Sequence, residues 1–246
     1  MRKQRRTAVK SVPPADFQRL WEVLALEKIN LRASFEKSGR AVFISHLDLV
    51  RTMQRAVKRS KLPVWYTQGF NPRIYLNFPL ALSLGVVGKK EYMDFAVTEE
   101  IDLKKAREVL DKAMPEGLRI LGVDKPVHEN KEIAFAEYTI KFMGGATGEK
   151  MLSELEKMMS METIEVDKHS KSKGTVKIDI KPHINIVGTE TAGDVLAVDI
   201  RLPAGLSLNI NSNVFVEAYS SFSGIDFENI YAERTNILLS NGENFI

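Results

Sequence analysis

Apolar residues recur at every second position over Ile29–Glu36, and this spacing is typical of a strand that buries one face. The period then becomes helical. Ser45, followed three residues later by Asp48, gives a capping-box pattern in which Asp replaces the usual Glu. Lys61-Leu62-Pro63 ends the helical pattern, because proline disfavours the helical conformation of the residue before it. We therefore predict a strand followed by a helix over Ser45–Ser60.

The remaining patterns predict the order β, α, β, β, α, β for the first half of the chain, and the second half repeats this theme. For the first half they add extended segments at Val42–Ile44 and Val64–Thr67, strands at Tyr75–Leu84 and Glu91–Val97, a helix at Leu103–Met114 and a strand at Leu118–Val123. For the second half they give strands at Glu137–Phe142, Glu162–Asp167, Thr175–Ile180, Val195–Arg201 and Ile230–Leu238, with helices at Gly148–Met161 and Asn213–Phe222.

This order predicts an α+β fold of two ferredoxin-like (βαββαβ) plaits in tandem, with antiparallel sheets and helices on one face. The expected domains are residues 28–125 and 133–246, joined by the polar linker Pro126–Glu132. Residues 1–27 precede them as a basic extension, within which Asp16–Glu27 has the composition of a short helix. Basic extensions of this kind either bind nucleic acid or remain loose.

The amino-acid composition limits the classes of protein to which this chain can belong. The chain has 246 residues, of which 44% are hydrophobic and 27% charged, as in ordinary globular domains. The absence of cysteine excludes disulfides, thiolate metal sites, cysteine nucleophiles and cysteine-held iron–sulfur clusters. No apolar run has the roughly 18–20 residues of a membrane helix. We therefore expect a cytoplasmic protein that has no membrane contact and no cofactor.

Charge is distributed unevenly along the chain. Residues 1–75 contain 16 Lys and Arg against 5 Asp and Glu, whereas residues 76–246 contain 19 against 27, which gives a net charge of +3. The predicted helix Ser45–Ser60 has a cationic face at positions i, i+4, i+7 and i+8, formed by Arg51, Arg55, Lys58 and Arg59. Arginine favours two-bond contacts with phosphate. Either this face binds a polyanion or it is ordinary solvated surface.

A turn rich in aromatic and polar residues follows the cationic helix. Gly69 and the Asn71-Pro72 pair favour a turn, with Gln68 and Arg73 on either side. Cations interleaved with aromatic rings are typical of single-stranded RNA recognition, in which bases stack on the rings. We expect Tyr66 to be the stacking residue, because its polar tip suits an exposed position. Trp65 and Phe70 are expected in the core.

Four segments resemble the radical-SAM-linked proteins, a family of unknown function encoded beside or fused to radical SAM proteins. The resemblance is close over residues 28–100 and loose beyond them. It rests on Arg32-x-x-Phe35-x-Lys37-x-Gly39, on Phe43-Ile44-Ser45-His46-Leu47-Asp48-Leu49-x-Arg51, on Arg55-Ala56 with Leu62-Pro63, and on Tyr66-x-x-Gly69-Phe70-Asn71-Pro72. It implies a radical SAM partner and a place in RNA or ribosome maturation. Without cysteine, this chain is not itself the radical SAM enzyme.

His46 and Asp48 are the candidates for catalysis, because they form a close pair of histidine and carboxylate at the start of the predicted helix. His46 is interpreted as catalytic, phosphate-binding or purely structural. The four histidines are too scattered to predict a metal site. The predicted phosphate and RNA contacts are the cationic and polar residues of the matched segments: Arg32, Lys37, Arg51, Arg55, Arg59, Tyr66, Gln68, Asn71 and Arg73.

Three functions fit these residues. The first is a non-catalytic RNA-binding accessory protein that serves a radical SAM enzyme, and this is the function we favour. The second is an RNA-processing or RNA-modifying enzyme that uses His46 and Asp48. The third is a protein–protein adaptor whose basic surface meets an acidic partner.

Overall fold

A computed structural model describes residues 28–170 and 174–246. The predicted basic extension, including its helix Asp16–Glu27, lies outside these residues. The described elements of the first half are β1 (Ile29–Lys37), α1 (His46–Arg59), β2 (Leu76–Asn77), β3 (Val87–Val97), α2 (Leu103–Ala113) and β4 (Leu118–Asp124). Those of the second half are β5 (Ile133–Met143), α3 (Gly148–Ser160), β6 (Glu165–Ser170), β7 (Gly174–Asp179), β8 (Asn185–Ala192), β9 (Val195–Pro203), α4 (Ser212–Ser223) and β10 (Asn229–Leu239).

One large sheet, mostly antiparallel, runs through both halves of the described chain. Its strand order is β4-β1-β3-β10-β5-β9-β8, with the short β2 also paired to β3. All neighbours are antiparallel except β3 and β10, which run parallel over two residue pairs. β6 and β7 form a separate hairpin. With four helices among the described residues, the fold is mixed α/β.

Polar side chains cap the N-termini of the first two helices. The hydroxyl of Ser45 accepts the backbone N–H of Asp48 at 3.2 Å, so the predicted cap of α1 is confirmed. Asp102 caps α2 in the same way. In β1 the alternating residues Leu31, Ala33 and Phe35 are buried against α1 and α2, as the spacing predicts. The second half has its own hydrophobic core, which contains residues of α3 and α4.

Three predicted extended segments are wrong or much shorter than expected. Val42 and Phe43 belong to a 3₁₀ helix at Gly39–Phe43 rather than to a strand. Val64–Thr67 makes only isolated bridges, and Tyr75–Leu84 shrinks to the two residues of β2. One reason is that the carbonyls of Leu80 and Ala81 accept hydrogen bonds from the side chain of Arg234 instead of from a neighbouring strand.

Sequence analysis missed β8 altogether. This strand lies at the edge of the sheet and is mostly exposed, so it has none of the apolar alternation that marks a half-buried strand. The hairpin of β6 and β7 does correspond to two predicted strands, with shifted ends.

A buried ion pair lies where the two halves meet. Arg234 of β10 and Glu91 of β3 are each 2% exposed, and Nε of Arg234 donates to Oε1 of Glu91 at 2.8 Å. A second bond joins Nη2 to Oε2. Burial by itself opposes the charge on the guanidinium, but Glu91 holds the pKa of Arg234 above its usual value. The pair therefore fixes β10 against β3 with both charges compensated.

Candidate nucleic-acid interface

Helix α1 presents a cationic face because its apolar residues are buried on the opposite side. Leu49, Met53, Ala56 and Val57 are the buried residues. Leu47, an apolar residue of the first helical turn, is 66% exposed. The buried side of the helix is therefore centred on Met53 and Ala56, and this leaves the predicted cationic positions toward solvent.

The turn that follows α1 is closed at its base by hydrogen bonds. The backbone N–H of Thr67 donates to the carbonyl of Arg73 at 2.8 Å, and the N–H of Arg73 donates to Oγ1 of Thr67 at 3.1 Å. One step earlier, Tyr66 and Ile74 form an antiparallel bridge. The structure thus forms a short two-stranded base with an exposed loop, residues 67–73, at its end. We call this the 67–73 loop.

Helix α1 and the base of the 67–73 loop together enclose a cleft of about 380 Å³. We call it the basic cleft, because it has four cationic side chains and no acidic lining residue. The lining residues are Arg51, Gln54, Arg55, Lys58, Tyr66, Arg73 and Ile74. The structure thus brings together two separate predicted segments, the helix stripe and the aromatic turn.

Four of the predicted contacts line the basic cleft, namely Arg51, Arg55, Tyr66 and Arg73. Arg59 does not, because its Nη2 donates to the carbonyl of Ala113 at the end of α2, at 2.7 Å. Gln68 and Asn71 lie on the exposed 67–73 loop beyond the cleft.

Two further predicted contacts, Arg32 and Lys37, are buried and lie outside the basic cleft. Arg32 is 4% exposed, and its guanidinium forms an ion pair with Asp94 at 2.6 Å. Its remaining N–H groups donate to backbone carbonyls and to Asn130. Lys37 is 1% exposed and donates to the carbonyl of Val42 at 3.2 Å. Burial lowers the pKa of the Lys37 ammonium. Both cations therefore have partners within the chain.

Sequence reasoning also missed features of the site. Gln54 lies one helical turn from both Arg51 and Lys58, so its helical spacing was the signal that places it in the cleft. Phe70, expected in the core, is fully exposed on the 67–73 loop. Trp65 is half-buried, and its ring lies edge-on to that of Tyr75 at 6.1 Å between centroids.

The side chains of His46 and Asp48 contact different partners. The ring of His46 lies edge-on to Phe78, with 5.4 Å between centroids. The Asp48 carboxylate instead accepts from the hydroxyl of Ser45 at 2.8 Å and from Nη1 of Arg51 at 3.1 Å. Asp48 therefore completes the cap of α1 and orients Arg51 at the edge of the basic cleft.

These contacts predict how Asp48 titrates. The hydrogen bond from Ser45, and then that from Arg51, hold the pKa of the Asp48 carboxyl below its usual range. A lowered folded-state pKa gives stability that is present above the unfolded-state pKa and is lost as the pH falls through the folded value. We expect Ser45→Ala to raise the Asp48 pKa, as measured by carboxyl-carbon NMR titration. The control Lys105→Ala, on α2, should leave it unchanged; an unshifted Asp48 in Ser45→Ala would contradict the assignment.

Two further observations bear on other anion or metal sites. A cleft of about 440 Å³ beside α3 and α4 has Glu165, Asp167 and Glu217 in its lining, and these carboxylates repel phosphate. Within residues 28–170 and 174–246, no three or more His, Asp and Glu side chains are grouped to hold a metal ion. None of the helices in these ranges has the length and apolar character needed to cross a membrane.

Two solved structures resemble this chain distantly. A chain of a crystal structure entitled as a Cbf5-Nop10-Gar1 complex is 11% identical, with a TM-score of 0.43, and the match covers 83% of this chain. It covers 48% of that chain, so this protein spans about half the length of its match. An unknown protein from Galdieria sulphuraria is 13% identical, with a TM-score of 0.27, over 85% of this chain and 99% of the other. TM-scores below 0.5 support no inference about this chain.

Comparison with families is more definite. No curated protein matches the sequence. One family does, over residues 30–212, and its description names neither an activity nor a partner. The matched region includes α1, the 67–73 loop and every residue of the basic cleft. Because the match spans well over half of the sequence, the chain belongs to DUF2344, a family of uncharacterised proteins conserved in bacteria.

Proposed function

We propose that this protein is a non-catalytic RNA-binding protein that holds RNA phosphates in the basic cleft. One observation carries the proposal: Arg51, Arg55, Lys58 and Arg73 converge on a single concave surface with no acidic residue in its lining. Cations gathered on one surface repel one another unless an anion or solvent lies between them, and of these four Arg51 is already paired with Asp48. A chain of phosphates supplies several negative charges at regular spacing, which a single small anion does not.

The character of the lining favours RNA over an acidic protein surface. Three of the four cations are arginines, whose planar groups bind phosphate through two parallel hydrogen bonds. Gln54 adds an amide and Tyr66 a flat ring, and these groups recognise base edges and base faces. An acidic protein partner would use the cations but would leave the amide and the ring without a role.

The catalytic alternative has less support. A general acid or base must reach the reacting group, whereas Asp48 already accepts hydrogen bonds from Ser45 and Arg51. The His46 ring packs against Phe78 rather than toward a carboxylate. We therefore place no catalytic residue in the proposal.

The proposed partner is a radical SAM enzyme of the cytosol, acting in RNA or ribosome maturation. Support comes from the resemblance of residues 28–100 to proteins encoded beside or fused to such enzymes. A chain without cysteine supplies no thiolates for an iron–sulfur cluster, so the proposed division of labour assigns RNA binding to this chain and the radical chemistry to its partner.

We also infer that the two halves are two ferredoxin-like plaits joined at their edges. The supporting observation is that the strand order repeats. The first half has the order β4-β1-β3-β2, and the second has β10-β5-β9-β8 once the β6–β7 hairpin is treated as an insertion. In both cases this is the order fourth, first, third, second, with antiparallel neighbours.

The proposal is tested by binding of the full chain to fluorescently labelled single-stranded RNA over a series of salt concentrations. If four cations contact phosphates, the logarithm of the affinity should fall with the logarithm of the salt concentration with a slope of about −3. RNA binding that is absent or insensitive to salt would overturn the proposal. A protein partner retained after nuclease treatment, together with absent RNA binding, would instead support the adaptor function.

A further inference from the structure

Phe70 is the most exposed large apolar side chain among the described residues, with a relative exposure of 103%. Its neighbours on the 67–73 loop, Gln68 and Asn71, are polar, so Phe70 is an isolated ring rather than part of an apolar surface. An aromatic ring exposed in this way makes no packing contribution that would explain its position. The ring is therefore available for contact with something outside the chain.

The loop holds Phe70 in this position by its own hydrogen bonds. Thr67 and Arg73 close the base of the loop through two bonds, at 2.8 and 3.1 Å. Gly69, the residue just before Phe70, has φ +142°, a backbone conformation that residues other than glycine rarely adopt. Because the base is closed and the turn depends on glycine, the ring is projected before any ligand binds. Less conformational entropy is then lost on binding.

Phe70 is also close to the basic cleft. It lies three residues before Arg73 and four after Tyr66, both of which line the cleft. Consecutive Cα atoms are 3.8 Å apart, so the Cα atoms of Phe70 and Arg73 are within about 11 Å of each other. A strand of RNA whose phosphates occupy the cleft thus has its adjoining bases within reach of the ring.

We propose that Phe70 stacks on an unpaired base next to the phosphates held in the basic cleft. The RNA recognised is therefore single-stranded or has an unpaired loop, and it is not a continuous duplex. This inference rests on the proposed function. In an RNA duplex the base faces are stacked on one another and closed to a side chain, whereas an unpaired base presents its face to aromatic rings.

A protein-docking role for Phe70 is less favoured by the same observations. Residues that dominate protein interfaces lie near the centre of well-packed, dehydrated patches. Phe70 is instead flanked by polar residues and lies three residues from Arg73, a cation of the basic cleft, which suits a nucleotide with its base and phosphate together.

The test compares wild type with Phe70→Ala, using a labelled unstructured single-stranded RNA and a duplex of equal length. Loss of one stacked base is expected to weaken single-strand binding about 5- to 150-fold. The salt slope should be unchanged, because no charge is removed. Phe70→Trp should retain binding, and Phe43→Ala, which removes an exposed ring outside the cleft, should have no effect. A 2-aminopurine base in the RNA should be quenched by wild type and not by Phe70→Ala.

The outcomes separate this inference from the proposed function. If Phe70→Ala binds the single strand as wild type does, with the same salt slope, the stacking role is overturned while the basic cleft stands. Equal binding of duplex and single strand by wild type would also overturn it. If Phe70→Ala keeps RNA binding but loses a copurifying protein, the ring docks a protein instead. If wild type binds neither RNA, the proposed function fails, and this inference fails with it.

Discussion

Glu91→Gln is expected to lower the free energy of unfolding by about 3–5 kcal/mol, the largest effect of any single substitution predicted for this protein. The substitution leaves the guanidinium of Arg234 in the interior without a compensating carboxylate. The carbonyls of Leu80 and Ala81 still accept from Arg234, but they carry no formal charge. The measurement is urea denaturation followed by circular dichroism.

Two further variants separate the charge from other effects of the change. Glu100→Gln removes the same charge from an exposed pair with Lys125, at 3.0 Å, and should cost less than about 1 kcal/mol. Glu91→Met combined with Arg234→Met removes both buried charges and should recover a large part of the loss. If Glu91→Gln cost no more than Glu100→Gln, the buried pair would not hold β10 against β3.

The second large effect concerns binding. Arg51→Ala/Arg55→Ala/Lys58→Ala is expected to reduce the salt slope for single-stranded RNA by about 2, because each phosphate contact contributes about 0.7. A difference of one unit in the salt slope corresponds to a tenfold change in affinity between 1 M and 0.1 M salt. The triple variant should therefore bind about 100-fold more weakly at 0.1 M salt. The three side chains face the cleft and leave the buried side of α1 intact, so thermal stability should be retained.

A matched control is available on the next helix. Lys104→Ala/Lys105→Ala/Arg107→Ala removes three exposed cations of α2 that do not line the cleft. It changes the net charge by the same amount, so any general field effect is equal in the two variants. Equal losses of RNA affinity in the two triple variants would mean that charge alone attracts RNA and that the basic cleft has no special role.

Local patterns predict the part of the site that depends on one helix. The spacing of apolar residues in α1 and the Ser45 cap are properties of neighbouring residues, so the cationic face of Arg51, Arg55 and Lys58 follows from sequence. Its convergence with Tyr66 and Arg73 does not, because it depends on how the 67–73 loop folds back on the helix. Even within a helix, local patterns do not settle burial: Leu47 is apolar but exposed, because packing decides which side of α1 is buried.

The features that the sequence did not predict depend on contacts between residues far apart in the chain. Arg32, Lys37 and Arg234 are of residue types usually found at the surface, yet each is buried. The carboxylates that compensate Arg32 and Arg234 lie 62 and 143 residues away in sequence. The same cause shortens the predicted strand Tyr75–Leu84, where Arg234 binds the backbone. Phe70 was expected in the core but is exposed. An apolar residue in a strand-rich region is usually buried, but Phe70 lies on the exposed 67–73 loop.

Cross-linking the protein to single-stranded RNA with ultraviolet light, followed by mass spectrometry of the linked peptides, tests the central claim most directly. We expect cross-links within residues 51–58 and 66–73, and their loss in Arg51→Ala/Arg55→Ala/Lys58→Ala but not in the α2 control. Cross-links confined to the second half, for example to α3, would contradict the claim that the basic cleft is where this protein binds RNA.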